Sequence, residues 1–183
     1  IDIVVNNAGI LRDKTFSKME MSDFRKVVDV HLIGSANVTH ACWPIMRQQK
    51  YGRIVLTSSA SGLYGNFGQS NYGAAKAAMM GLMNVLHLEG ARDNIRVNTL
   101  APTAATRMTA DLVSEDRPSR VILGAGAGSF AQTRVYETEG VTLTGDDNTP
   151  EGVAAAFDKI TDAAGQQELT DAFSQTKKYA LNA

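Results

Sequence analysis

Short apolar runs rich in valine and isoleucine alternate with longer amphipathic stretches along this chain. Four runs, at residues 1–5, 53–57, 95–100 and 120–123, are continuous in apolarity, as is typical of parallel strands buried on both faces. Apolar positions recur with helical spacing over residues 22–49, where Ser22 is the expected N-cap, and over residues 71–92. Strands that alternate with helices predict an α/β fold with a parallel sheet.

The pattern changes after the third predicted strand. Only residues 106–116 suit a helix before the fourth strand, which is barely enough for a crossover between parallel strands. We therefore expect a piece of chain to be missing there, and more before Ile1, where the sequence opens within a strand pattern. After residue 128 the chain becomes more polar, and we expect two further helices there. Thr149 and Pro150 have the pattern of an N-cap and a first helical residue, and the second helix spans residues 167–179.

Composition narrows the class of protein without naming a function. The 183 residues, 44% apolar and 20% charged, predict a single globular domain over residues 1–183. A net charge of -1 gives no reason to expect nucleic acid or an anionic membrane as a partner. The single cysteine, Cys42, excludes an internal disulfide and a cysteine-cluster metal site. We expect a reducing, cytoplasmic setting and no metal.

Three polar side chains at a fixed spacing carry the candidate chemistry. Ser59 follows the second predicted strand, and Tyr72 and Lys76 lie four residues apart, on one face of the next helix. A free tyrosine is a weak base at neutral pH because its pKa is about 10. A nearby ammonium group favours the phenolate, so the pair can exchange a proton with an alcohol near neutrality. A serine hydroxyl can hold the same substrate oxygen, and a cofactor would carry the hydride.

These residues lie among motifs that resemble the short-chain dehydrogenase/reductase family. The matching motifs are Asn6-Asn7-Ala8-Gly9, then Ser59 with Tyr72 and Lys76, and finally the stretch of residues 96–102. Residues 8–14, 41–44 and 62–72 further resemble the branch of (3R)-hydroxyacyl-CoA dehydrogenase domains found in peroxisomal multifunctional enzymes and their bacterial relatives. The resemblance covers nearly the whole chain, with residues 129–183 as a C-terminal extension.

The resemblance implies a Rossmann-like, three-layer fold and a dinucleotide-binding domain. It implies hydride transfer between NAD, or NADP, and a 3-hydroxyacyl or 3-oxoacyl thioester. Ser59, Tyr72 and Lys76 would be catalytic. The cofactor would contact both members of the Tyr72–Lys76 pair and six further residues, which are Asn7, Ala8, Gly9, Pro102, Thr103 and Thr106.

Three departures from the family pattern are visible. The N-terminal strands and the glycine-rich turn of the family are absent, and the glycine-rich residues 124–128 come too late to replace that turn. His31 stands where many members carry an asparagine that holds a bound water, so His31 is a fourth catalytic candidate. Pro102 is followed by Thr103 where the family usually has glycine, which leaves the register of the nicotinamide contacts open.

The resemblance also implies assembly, because the two long helices form a two-fold interface in the family. We expect a homodimer, or a tetramer built from it, with Met80 or Met83 facing outward. Two alternatives within the family stay open: a 3-oxoacyl carrier-protein reductase, and a steroid or sugar dehydrogenase. A third alternative, of another class, is a non-catalytic fragment that dimerises without binding a cofactor.

Overall fold

The computed structural model describes residues 1–102, 119–126 and 128–169, together with Gln175 and Lys178. The chain divides into two compact units, Ile1–Thr133 and Arg134–Ala183. Within the described ranges no helix is long and apolar enough to cross a membrane. The predicted crossover helix at residues 106–116 and most of the predicted helix at residues 167–179 lie outside the described residues.

A five-stranded sheet forms the centre of the first unit, with its strands in sequence order. Four of them are parallel: β1 (Ile3–Asn6), β2 (Gly52–Thr57), β3 (Ile95–Pro102) and β4 (Ile122–Gly126). These confirm the α/β fold and the four predicted strands, although β4 begins and ends later than its apolar run. The fifth strand, β5 (Ser129–Thr133), pairs antiparallel with β4 and was not expected from the sequence.

The α-helices in the described part of the first unit pack against one face of this sheet. They are α1 (Met21–Val28), α2 (Gly34–Gln49), α3 (Ala60–Tyr64) and α4 (Ser70–Gly90). The main core lies between this face and the long helices, where Met46, Met79 and Met83 pack on Ile54, Leu56 and Val97. Burial of these apolar side chains is what holds the strand ends of the sheet against the start of α4.

The predicted helix at residues 22–49 is interrupted by one wide turn. A π-helical turn, Asp29–Ile33, joins α1 to α2, and it carries His31. The Ser22 N-cap prediction is wrong: the helix begins at Met21, with Glu20 in the cap position and no side-chain cap. Glu20 has extended backbone angles, as an N-cap residue does, so the chain already turns into the helix one residue before Ser22.

Over its described residues the second unit has two short α-helices and one isolated strand pairing. Helix α5 (Pro150–Ala155) begins as predicted, with the Thr149 hydroxyl accepting the Gly152 N–H at 3.1 Å. It is followed by α6 (Phe157–Ile160). An antiparallel bridge joins Glu137 to Gln167, and the Lys178 ammonium lies 2.9 Å from a Glu137 carboxylate oxygen.

Candidate active site

The carboxyl edge of the parallel sheet brings the predicted site residues to one side of the first unit. Strand β1 ends at Asn6 and β2 at Thr57, and these strands are parallel neighbours in register. The Asn6-Asn7-Ala8-Gly9 motif therefore leaves the sheet at the same edge as Ser59. Ligands of open α/β sheets bind at this edge, so the arrangement is that of a binding crevice.

Ser59 serves as the N-cap of α3. Its backbone is extended, and its hydroxyl oxygen accepts the Ser61 N–H at 3.2 Å. Gly62 then allows α3 to lie directly on α4, because a β-carbon at Gly62 would come within 2.8 Å of the Lys76 backbone. The cap uses the oxygen of Ser59 as an acceptor, so its hydroxyl proton can still be donated to a substrate oxygen.

Lys76 is buried at the end of β2, and in the described part of the chain no carboxylate pairs with it. Its side chain is 4% exposed, and its ammonium donates to the Thr57 carbonyl at 2.6 Å. The Ser58 hydroxyl donates to the Lys76 carbonyl at 2.8 Å, which fixes this turn of α4 to the strand end. Burial lowers the pKa of Lys76 to about 8, because a buried ammonium loses hydration. An ammonium has three donors, so two remain for a ligand.

Tyr72 lies between Lys76 and His31. The Lys76 ammonium is 5.6 Å from the centre of the Tyr72 ring, and the His31 ring meets it edge-on with centroids 5.2 Å apart. The Tyr72 hydroxyl has no hydrogen-bond partner among the described residues. The side chain of Asn71, which is fully buried, accepts the Tyr72 N–H at 2.7 Å and donates to the Arg12 carbonyl at 2.9 Å.

His31 is held against the loop that follows β1. Its Nε2 lies 2.8 Å from the Ile10 carbonyl oxygen and 3.1 Å from the Ile10 backbone nitrogen. Its Nδ1 is buried and has no hydrogen-bond partner in the described part of the chain. Burial lowers the pKa of His31, and the nearby Lys76 charge lowers it further, against the opposing effect of the Ile10 hydrogen bond. The imidazole is therefore neutral near pH 7, with one nitrogen open to a further partner.

Glycine is required in the motif at position 9 by close approach. A β-carbon on Gly9 would come within 2.3 Å of the His31 Cε1 atom. Asn6 is buried, and its amide donates to the Thr39 hydroxyl at 2.9 Å, which ties the end of β1 to α2. Asn7 and Ala8, by contrast, are exposed on the loop at the crevice.

Two predicted cofactor residues fall outside this description. Pro102 is the last residue of β3 and pairs with Ala125 of β4. Thr103 and Thr106 lie outside the described residues.

The residues that sequence reasoning missed act mainly through the backbone, as the Thr57 carbonyl and the Ile10 peptide do. Asn71 had a visible signal, since it directly precedes Tyr72 in the motif.

The comparisons with known proteins bear on the family and the fold of this chain. The family model described as short chain dehydrogenase matches residues 1–117. This chain belongs to that family. The peroxisomal multifunctional enzyme type 2 of Mus musculus is 44% identical over 186 aligned positions, which cover 88% of this chain and 25% of the mouse protein. An acetoacetyl-CoA reductase of Allochromatium vinosum is 39% identical over 148 positions, covering 81% of this chain and 60% of the reductase.

A solved structure of a family member has the same fold. The full-length peroxisomal multifunctional enzyme type 2 of Drosophila melanogaster superposes with a TM-score of 0.87 and 36% identity, covering 97% of this chain and 37% of that one. The chain thus spans about a quarter of the length of its mouse relative and little more than a third of the fly protein. These findings establish the short-chain dehydrogenase family and its Rossmann-like fold for the chain, and the family is one of oxidoreductases.

Proposed function

We propose that this chain interconverts 3-hydroxyacyl and 3-oxoacyl thioesters with a nicotinamide cofactor. The observation that carries the proposal is the position of the buried Lys76 ammonium. It lies 5.6 Å from the centre of the Tyr72 ring and is bonded to the end of β2, two residues before Ser59. The substrate class is supported by the names of the relatives, which include an acetoacetyl-CoA reductase and peroxisomal multifunctional enzymes. NAD is the proposed cofactor, on the resemblance to (3R)-hydroxyacyl-CoA dehydrogenase domains.

Each of the three polar residues has a distinct proposed role. Ser59 donates its hydroxyl proton to the substrate oxygen and so fixes it. Tyr72, as the phenolate, takes the proton of the alcohol during oxidation and returns it during reduction. Lys76 favours the phenolate by its charge, since an ammonium stabilises a nearby anion.

The residues at this edge fit a nicotinamide cofactor. Lys76 has two N–H donors left after its bond to Thr57, which suits the paired hydroxyls of a ribose. The exposed loop residues Asn7, Ala8 and Gly9, together with Pro102, Thr103 and Thr106, are proposed to flank it. When bound, the cofactor supplies the hydride acceptor or donor for the carbinol carbon.

His31 is proposed to hold a water molecule that relays protons to the Lys76–Tyr72 pair. The Ile10 peptide offers both a donor and an acceptor to Nε2, so the ring can carry its proton on either nitrogen. Nδ1 can therefore accept from a water or donate to it without the ring becoming charged. Its lack of a partner within the described residues supports this role.

Replacement of one tyrosine hydroxyl tests the proposal. In Tyr72→Phe the ring contacts with His31 and Lys76 remain but the transferable proton is gone. We expect kcat for 3-hydroxybutyryl-CoA oxidation to fall at least about 100-fold, as for loss of a general base, with cofactor binding nearly unchanged. Tyr51→Phe is the matched control, because Tyr51 stacks on Arg53 and would keep that contact. Comparable turnover in the two variants would disprove the role of Tyr72.

A homodimer through α2 and α4 is proposed as the assembly. Both helices leave apolar side chains in water in the single chain: Val38 and Ile45 on α2, and Val85 and Leu88 on α4, are 43–53% exposed. Gly81 also lies on the outer face of α4, and a β-carbon there would meet nothing within 4 Å. A glycine inside a helix costs about 1 kcal/mol relative to alanine, which a close-packed partner helix would offset.

A further inference from the structure

We propose that an apolar pocket beside Ser59, between α3 and the β4–β5 hairpin, receives the acyl chain of the substrate. This assignment rests on the proposed function and adds a site for the part of the substrate that does not react. The pocket encloses about 240 Å³ and lies entirely within the first unit.

Small residues on three adjacent strands form the floor of the pocket. Ala101 of β3 pairs with Gly124 of β4, and Gly124 pairs with Ala131 of β5. Residues paired across neighbouring strands place their side chains on the same face of a sheet. The three therefore form one row of minimal side chains, and the missing side-chain volume is the space that the pocket occupies.

Helix α3 and the hairpin close the pocket from the other sides. Ala60, Leu63 and Tyr64 of α3 line it, and Phe130 of β5 lies at its border. The Tyr64 hydroxyl comes within 3.5 Å of the Thr133 hydroxyl, so the two elements meet across the space. Among the described residues no charged side chain lines the pocket, and the polar side-chain groups there are the hydroxyls of Tyr64, Ser129 and Thr133.

The position and size of the pocket favour a slender alkyl chain. Ala60 directly follows Ser59, so the pocket begins one residue from the hydroxyl that is proposed to hold the substrate oxygen. Its volume is below the range of about 300–1,000 Å³ that is usual for drug-sized ligands. The lining residues in the described part of the chain offer no cation to the phosphates of coenzyme A. An acyl chain that continues from the reacting carbon matches the position, the volume and the uncharged lining of the pocket.

Binding of unreactive thioesters of increasing length tests the pocket. Butyryl-, hexanoyl- and decanoyl-CoA lack the 3-hydroxyl group, so calorimetry measures their dissociation constants without turnover. Each methylene moved from water into apolar surroundings tightens binding about fourfold. We expect the wild-type dissociation constant to fall at least about tenfold from the four-carbon to the ten-carbon chain.

Filling the floor of the pocket should remove this dependence on length. In Ala131→Leu, decanoyl-CoA should bind no more than about threefold tighter than butyryl-CoA, while butyryl-CoA binds as in the wild type. Gln132→Leu is the matched control, since Gln132 pairs with Leu123 on the other face of the hairpin and keeps the dependence. Gly124→Ala is a milder second variant, because its new methyl group would lie 3.6 Å from the Ala131 carbonyl oxygen, an ordinary contact distance.

The outcomes separate this proposal from the proposed function. If wild-type binding does not depend on chain length, or if Ala131→Leu keeps the full dependence, the pocket does not hold the chain. Either result can occur while 3-hydroxybutyryl-CoA is still oxidised, in which case the proposed function stands. If the length dependence disappears in Ala131→Leu while no 3-hydroxyacyl-CoA is oxidised by the wild type, the pocket stands and the reaction is wrong.

Discussion

At the scale of single residues, burial changes the acid–base property of Lys76. Its ammonium has one carbonyl partner, and burial alone accounts for its lowered pKa. Because no carboxylate among the described residues pairs with it, the ammonium keeps its full effect on the nearby Tyr72 ring. Burial of this charge away from water lowers the free energy of unfolding.

This cost should be visible as a pH dependence of stability. The pKa of Lys76 falls from 10.5 to about 8 on folding, so between these pH values the unfolded chain binds the proton and the folded chain does not. Stability must then rise from pH 8 to pH 10.5, because the cost is complete below pH 8 and gone above 10.5. The rise is about 3 kcal/mol for this group alone.

Urea unfolding from pH 7.5 to 10.5 measures this contribution. In Lys76→Met the part of the rise that is due to this lysine should disappear, whatever the change in stability at pH 7.5. Lys26→Met is the control, because Lys26 lies exposed on α1 and should keep the wild-type slope. Parallel curves for the wild type and Lys76→Met would contradict the buried, unpaired state of the ammonium.

Sequence reasoning found the candidate catalytic side chains but not the backbone groups that hold them. Tyr72 and Lys76 share a helix face by spacing, and Ser59 reaches the same edge because parallel strands end together. The Thr57 carbonyl and the Ile10 peptide could not be found in this way, since a backbone group is the same for every residue type. The row of Ala101, Gly124 and Ala131 was missed because an absence of side chains gives no motif.

At the scale of elements, a short chain of side-chain hydrogen bonds holds two loops together at the mouth of the site. The Gln69 amide oxygen accepts from the Ser61 hydroxyl at 2.8 Å and from the Asn66 amide at 3.1 Å. Its amide nitrogen donates to the Asp13 carboxylate at 2.8 Å. The Ser61 backbone N–H in turn donates to the hydroxyl of Ser59, the N-cap of α3. The loop after β1 is thus linked to this cap and to the start of α4.

A second substitution should compensate for the loss of the hydrogen bond between Gln69 and Asp13. Gln69→Glu places a carboxylate against Asp13, and we expect it to lower the free energy of unfolding by about 1 kcal/mol, because both groups are partly exposed. Adding Asp13→Asn restores a donor opposite the new carboxylate and should recover most of the loss. Urea unfolding of the wild type and of the single and double variants gives the interaction free energy between residues 13 and 69. Additive effects would show that the two side chains do not meet.

The helix boundaries show what periodicity can and cannot predict. Val27, His31, Ser35 and Thr39 are all buried at steps of four residues. A regular α-helix drifts by about 40° at each such step, and the wide turn at Asp29–Ile33 lies between Val27 and Ser35. This spacing was present in the sequence, but the apolar pattern alone did not reveal it, because three of the four residues are polar.

The fifth strand was missed for a different physical reason. Residues 124–128 are glycine and alanine, which have little intrinsic strand preference. The end of β4 therefore has the composition of a loop, and β5 after it is exposed along most of its length. Backbone pairing with β4, rather than burial, makes β5 a strand, and pairing leaves no periodic signal.

At the scale of the whole molecule, the outer face of α4 determines the assembly that we propose. The sequence suggested Met80 or Met83 as outward-facing residues, and this is wrong. Met83 is buried in the core, and Met80 is partly buried and packs against that core. The outward positions are instead Ala74, Gly81, Val85 and Leu88. Fold class followed from the sequence, but the helix face did not, since α4 is apolar nearly all round.

A single charge on this face should separate the copies. Val85→Glu would bury a carboxylate in the proposed contact, and we expect a dimer in the wild type and a monomer in the variant at micromolar concentration. Light scattering gives the mass directly. Val153→Glu, a similarly exposed valine on α5, is the control and should leave the mass unchanged. A wild-type monomer would contradict the proposed interface.

The wide turn at Asp29–Ile33 contains one residue more than the same stretch of a regular α-helix would. Loss of one residue there would restore an ordinary turn while α1 and α2 keep their facing neighbours, because the wide turn absorbs the extra residue. The residue that faces Tyr72 can therefore be exchanged by an insertion or deletion as readily as by a substitution. An alignment that forbids gaps within helices would compare His31 with the wrong residue in any relative that lacks the turn.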